Sequence, residues 1–170
     1  FYNPEFTSQA AMNGADAIFD GSDNIYITQG GGYPYFAKYS ISEQTWTELS
    51  PSPAASNPGG NLSYDSENNT IYLLPGWDKN YFYKYDVASD TWTRLADSPT
   101  TIGYGGSSVV YGRYVYVQAG AYTAYLLRYN IEEGSWDLPA RGIFNEPHIW
   151  NGNYYGFDSG ASMAQDENGS

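Results

Sequence analysis

The sequence predicts an all-β protein assembled from repeated four-stranded antiparallel sheets, and three observations predict it. A Tyr is followed seven residues later by a Trp three times, at Tyr39 and Trp46, Tyr85 and Trp92, and Tyr129 and Trp136. A Tyr also stands four residues before a Gly three times, at Tyr26 and Gly30, Tyr72 and Gly76, and Tyr116 and Gly120. Members of both sets are 46 and then 44 residues apart. Two independent landmarks with one period mark a repeat, and periods of about 40–50 residues belong to stacked-unit architectures. Finally, no segment sustains an apolar period of 3.6, so helix should be scarce.

The first landmark sits in FAKYSISEQTWTEL (36–49), FYKYDVASDTWTRL (82–95) and LLRYNIEEGSWDL (126–138), which align without gaps through the Trp. Lys38, Lys84 or Arg128 precedes the Tyr, and Ile41, Val87 or Ile131 follows it by two residues. Each unit reads as four short strands. In the second unit these are 59–65, 70–76, 81–87 and 91–95, with the polar turns SENN (66–69) and ASD (88–90) between partners. Alternation of β-branched and aromatic residues in IYITQ and VYVQ suits pleated strands with two distinct faces. Pro- and Ser-rich stretches at 50–58, 96–101 and 139–142 read as crossings from one sheet to the next. The chain divides into a lead-in (1–14), units at 15–50, 51–96 and 97–138, the first half of a fourth unit (139–160) and a polar tail (161–170).

A lone four-stranded sheet cannot bury both faces. Stacking copies around an axis solves this and leaves only short edges, which is the propeller solution. Trp46, Trp92 and Trp136 should then fill the spaces between neighbouring sheets. On these residues the sequence resembles the kelch family, whose units carry a hydrophobic strand ending in Gly-Gly, then a Tyr, then a Trp about seven residues on. Gly30-Gly31 keeps that pattern, while Pro75-Gly76 and Ala119-Gly120 depart from it. A WD40 reading fits less well, because no Trp-Asp dipeptide ends a strand. The resemblance implies kelch-like β-propeller blades of four antiparallel strands, as a partial ring or part of a larger propeller. A fourth blade begins at EPHIWNGNYYGFDSG (146–160), and propellers close with about four to eight blades. The expectation is therefore continuation in a longer chain, or completion by another chain rather than action as an isolated monomer.

The formal charge of −12, from 19 acidic and 7 basic residues, disfavours nucleic acid and anionic membrane surfaces. No apolar run approaches the roughly 20 residues of a membrane helix. With no Cys, disulfides, thiolate catalysis and Cys–metal sites are excluded. The chain begins at Phe1 rather than Met, which a cleaved signal peptide would fit and a fragment of a longer chain would fit as well. Low Lys, no Cys and a surface rich in Tyr, Asn, Ser and Thr suggest an extracellular or exported protein. Sequons at Asn61, Asn68 and Asn168 are no more than composition gives by chance.

Chemistry is sparse. The kelch resemblance brings copper-radical oxidases into view, but their site, as the family implies it, needs two His and a Tyr cross-linked to Cys. One His and no Cys exclude it. A mutarotase-like, sugar-active kelch enzyme remains the alternative, since it needs only acidic and basic side chains around the channel. A Ser–His–Asp site would have to use His148, which lies in strand-like PHIW with no nucleophile elbow in the chain. DGSDN (20–24) hints at calcium but lacks the EF-hand spacing and reads as a hairpin turn. Glu132 and Glu133 read as a solvated turn without a partner. No phosphate cradle, metal site or cofactor is expected, and no catalytic residue is assigned.

The connections between second and third strands are the candidate binding surface. GGYPY (31–35), WDKN (77–80) and AYTA (121–124) carry Tyr33, Tyr35, Trp77 and Tyr122. In a propeller these loops and the crossings emerge on one face, adding Tyr104 and Arg141. Flat aromatic faces offer stacking area at small entropy cost, and Arg offers a planar charged fork. The competing reading is that these aromatics only close the loops over the blade edges. The function expected is a non-catalytic module that binds a protein chain (itself or a complementary propeller half) or a glycan.

Overall fold

Strands this short, with apolar residues on both faces, need neighbours above and below them. The computed structural model describes residues 11–121, 123, 125–137, 148–150 and 153–155. The first sheet contains β1 (Asp16–Phe19), β2 (Asn24–Gly30), β3 (Tyr33–Ser40) and β4 (Thr45–Glu48). The second contains β5 (Asn61–Asp65), β6 (Thr70–Leu74), β7 (Tyr83–Asp86) and β8 (Thr91–Arg94). The third contains β9 (Ser107–Tyr111), β10 (Tyr114–Gln118), β11 (Leu126–Asn130) and β12 (Ser135–Asp137). Each is antiparallel with its strands in chain order, and β13 (His148–Trp150) pairs separately with β14 (Asn153–Tyr155). No helix occurs among the described residues. The chain is an all-β fold of β-propeller blades.

The Tyr–Trp spacing has a direct geometric meaning. Tyr39 lies opposite Trp46, Tyr85 opposite Trp92 and Tyr129 opposite Trp136 in the last hairpin of each blade. Their ring centroids are 4.9, 5.0 and 5.2 Å apart. The turn residue before each last strand is left-handed, with φ of 58° at Gln44, 53° at Asp90 and 65° at Gly134.

Blades stack through aromatic contacts that repeat. Trp92 packs against Phe36 of the preceding blade at 5.0 Å and donates its Nε1–H to the Ser50 carbonyl at 2.9 Å. Trp136 packs against Phe82 at 5.0 Å and donates to the Ala96 carbonyl at 2.8 Å. Trp46 packs against Tyr39 of its own blade. Every residue of β6 is buried because the middle blade is covered on both sides. Ile71 and Leu73 enter one core with Tyr26, Phe36 and Leu62, while Tyr72 and Leu74 enter another with Val115 and Val117. Full burial of a side chain such as Phe36 contributes about 1.5–3 kcal/mol, so these seams hold the stack together.

Three first strands, β1, β5 and β9, lie side by side and line an open cleft of about 520 Å³. Asp16 accepts a hydrogen bond from the Leu62 backbone N–H at 2.7 Å, bridging the first two blades. Asn61, at the equivalent position, accepts one from the Ser108 hydroxyl of the third at 2.5 Å. Burial pushes the Asp16 carboxyl above its ordinary value, although bonds from Leu62 and Ala17 pull the other way.

Gly76 explains why a glycine recurs after the second strand. Its φ is +73°, and a Cβ there would lie 2.4 Å from the Gly60 nitrogen at the root of β5, the first strand of the same blade. Gly30 and Gly120 are equally crowded, against Ala15 and against Tyr104 with Gly106. One sequence expectation changes in this region. Tyr33 and Tyr35 stand inside β3 rather than in a loop, because a register shift between Thr28 and Gly30 leaves only Gly31 and Gly32 to make the connection.

Candidate binding face

The loop end of the blades is knitted by backbone bonds that repeat from blade to blade. Gly31 N–H donates to the Asn13 carbonyl, Trp77 N–H to Pro58 and Ala121 N–H to Tyr104, at 2.8, 2.9 and 2.8 Å. A second set ties the first two connections to the crossings that leave their own blades. Gly32 N–H donates to the Ser56 carbonyl and Asp78 N–H to the Ile102 carbonyl, both at 3.0 Å. The crossings are themselves shaped by Ser52 and Ser98. The Ser52 backbone N–H and hydroxyl donate to the Pro34 carbonyl, and those of Ser98 donate to the Asn80 carbonyl. Both crossings follow the same Ser-Pro plan, and Gly59-Gly60 and Gly105-Gly106 end them 46 residues apart. That signal was present in the sequence, in residues outside the two aromatic landmarks.

This frame holds large apolar side chains out in solvent. Trp77 is 61% exposed, Tyr104 54% and Tyr33 51%. Tyr35 is half-buried and joins Tyr33, Glu48 and Pro51 around a groove of about 210 Å³. Tyr122 and Arg141 lie outside the described residues. Met12 and Tyr125, which the sequence reading did not single out, are also exposed at this end.

Trp77 is the unusual member. Its φ is 53° and that of Asp78 is 54°. Gly31 occupies the equivalent position of the first blade at 64°, and Ala121 that of the third at 52°. The left-handed conformation costs a non-glycine residue roughly 1–2 kcal/mol. Such strain persists only where the surroundings over-determine it, and the bonds from Trp77 and Asp78 to Pro58 and Ile102 do that here.

The opposite end is built of short turns and is structural. Asp20 accepts bonds from the backbone N–H groups of Ser22, Asp23 and Asn24 and from the Asn24 side chain. Burial acts against its charge, but the hydrogen bonds from Asn24 and Ser22 outweigh it and hold the carboxyl at about 2. DGSDN therefore uses its acidic oxygens to close a hairpin. Glu132, expected to be unpartnered, lies 3.6 Å from Arg113, both being exposed. Asp90 accepts bonds from the buried Tyr85 hydroxyl at 2.7 Å and from Ser50 N–H at 2.9 Å, a second tie between the first two blades. Burial, then the Asp90 carboxylate, pushes the Tyr85 hydroxyl up, and the same bond lowers Asp90.

Little in the described residues gathers chemical groups. The axial cleft carries Asp16 and Asp20, and no Arg, Lys or His lines it among the described residues. No group of three metal-ligating side chains occurs among them. Ser108 of GGSS is bonded to Asn61. His148 lies in β13, and its side chain falls outside the described residues.

No protein-family model matches the sequence, and no curated protein matches it. Among solved structures, the fold is similar to that of YjhT, with a TM-score of 0.64 and 16% sequence identity over 75% of this chain and 51% of that one. The chain spans about half the length of YjhT, a β-propeller, and at this identity the likeness shows the fold alone.

Proposed function

We propose that the chain is a non-catalytic, kelch-type β-propeller module, exported from the cell, that binds a protein partner or a glycan through the loop face carrying Tyr33, Trp77 and Tyr104. The observation that carries this reading is Trp77. A strained, doubly pinned backbone holds the largest side-chain type more than half in water. The fold gains little packing from such a placement, whereas a binding site gains a rigid aromatic surface with little entropy to lose.

Left-handed backbone at Gly30 and Gly31, at Gly76 and Trp77, and at Gly120 and Ala121 supports the kelch assignment. These are the positions where the family pattern has Gly-Gly, and they explain why Pro75-Gly76-Trp77 and Ala119-Gly120-Ala121 can stand in for it. The paired carboxylates of the cleft are each bonded within the fold, which favours binding over sugar chemistry. Absence of Cys and a Lys-poor surface favour export. A second copy of the chain is one partner that this face could take.

The test is a triple variant, Tyr33→Ala, Trp77→Ala and Tyr104→Ala, compared with wild type on an immobilised glycan array and against proteins of its own extracellular medium. The variant should keep its unfolding midpoint and lose the wild-type binding profile. An unchanged profile would place the site elsewhere.

A further inference from the structure

Between the second and third blades, two exposed rings stand on segments that a backbone bridge joins. Lys79 and Ile102 form an antiparallel bridge, with Ile102 N–H donating to the Lys79 carbonyl at 2.9 Å. Trp77 lies two residues before Lys79 and Tyr104 two residues after Ile102, so the bridge sets the segments that carry them side by side. Each is fixed from a further direction, Trp77 through its bond to Pro58 and Tyr104 through the bond it accepts from Ala121. Ile102 is fully buried in the core between the second and third blades. Asp78 places its carboxylate over Gly103, where a Cβ would come within 2.8 Å of its Oδ1. Lys79 is exposed beside it.

We infer that this junction is a subsite for a neutral pyranose unit of a glycan, with Trp77 and Tyr104 stacking on its C–H faces and Asp78 and Lys79 bonding its hydroxyls. The inference rests on the proposed binding face and names the ligand class of one part of it. A pyranose is the size of an aromatic ring, and it presents apolar faces with a polar rim. The junction offers the matching set of groups: two exposed rings, one acceptor and one donor. A stable protein interface needs about 800 Å² from each partner, far more than two side chains supply. The formal charge of −12 works against acidic polysaccharides, whose approach it opposes at long range. The junction between the first and second blades lacks the pair, since Gly31 and Pro58 stand where Trp77 and Tyr104 stand. The signal therefore comes from one junction rather than from the repeat.

The probes are cellohexaose, xylohexaose and mannohexaose, with pentagalacturonate as the anionic counterpart, titrated into the intact chain by calorimetry. At least one neutral hexasaccharide should bind and pentagalacturonate should not. Trp77→Ala and Tyr104→Ala should each weaken binding by roughly tenfold, the scale of a lost aromatic stack. Trp77→Phe should weaken it less. Each variant is checked for an unaltered unfolding midpoint. Failure of all three neutral sugars, or equal binding by wild type and Trp77→Ala, overturns the inference. If the sugars fail while the triple variant still loses a protein partner, the sugar subsite falls and the binding face stands. If neither measurement responds to these substitutions, both fall.

Discussion

Replacing Trp77 with glycine should stabilise the fold while removing its binding capacity. The backbone there is left-handed, which costs a Trp roughly 1–2 kcal/mol and a glycine almost nothing. Glycine gives back about 0.5–1 kcal/mol through the greater freedom of its unfolded chain. The ring itself contributes little. It is 61% exposed, and the 39% that is covered is close to the ~10–40% of surface that denatured chains already bury. The net expectation is a gain of about 0.5–1 kcal/mol, with Gly31 of the first blade as the natural precedent for glycine at this position. Urea denaturation followed by Trp fluorescence and far-UV circular dichroism would measure it, provided both probes give one transition with an unchanged slope. A loss of more than about 1 kcal/mol would refute the reasoning, because it would mean that the ring closes the loop over the blade edge as part of the packing.

The turn before each last strand provides an internal contrast. Gln44→Gly should be neutral or stabilising by up to about 1 kcal/mol, since it relieves a left-handed residue that is exposed. Asp90→Gly relieves the same strain but strips the buried Tyr85 hydroxyl and Ser50 N–H of their acceptor, and should cost about 1–3 kcal/mol net. Equal effects at the two sites in urea melts would remove Asp90 from the inter-blade tie. Stability should also fall in acid as pH drops from 3.8, the ordinary Asp value, to about 2, because Asp20 is held lower in the fold than in the unfolded chain. Asp16 has the opposite sign, since its raised carboxyl favours the folded state at low pH and loses that contribution as pH rises through it. Asp20→Asn should flatten the acid limb of a thermal-melting profile, and an unchanged limb would argue against the turn as its origin.

Much of the blade plan was legible because it is local. A Tyr and a Trp seven residues apart specify a hairpin with a four-residue turn, and the pairs Tyr39–Trp46 and Tyr85–Trp92 occupy that register. The recurring Gly was legible as a landmark, but its reason, close approach to the root of the neighbouring first strand, comes from a contact between non-adjacent segments. Tyr33 was misplaced into a loop because a bulge near Gly30 is not written in composition. The left-handed backbone of Trp77 was hidden by Gly76, which alone would account for a turn. The nearness of the segments carrying Trp77 and Tyr104 depends on how a crossing docks on a connection 20-odd residues away, a bridge that repeats at Tyr33 and Ser56 but joins residues too far apart for a local pattern to show. Likewise, the tie from Asp90 to Ser50 spans 40 residues and two blades.

The claim that matters most is that the exposed indole of Trp77 belongs to the binding surface while the other described indoles belong to the fold. The five Trp side chains give separate indole N–H signals in a nitrogen–proton correlation spectrum, assignable by single Trp→Phe substitutions. Trp92 and Trp136 donate to the Ser50 and Ala96 carbonyls and are internal references. On addition of the neutral hexasaccharide that binds, or of a captured protein partner, the Trp77 signal should shift or broaden in proportion to saturation while those of Trp92 and Trp136 stay in place. A titration that moves Trp92 or Trp136 and leaves Trp77 unmoved would contradict the account.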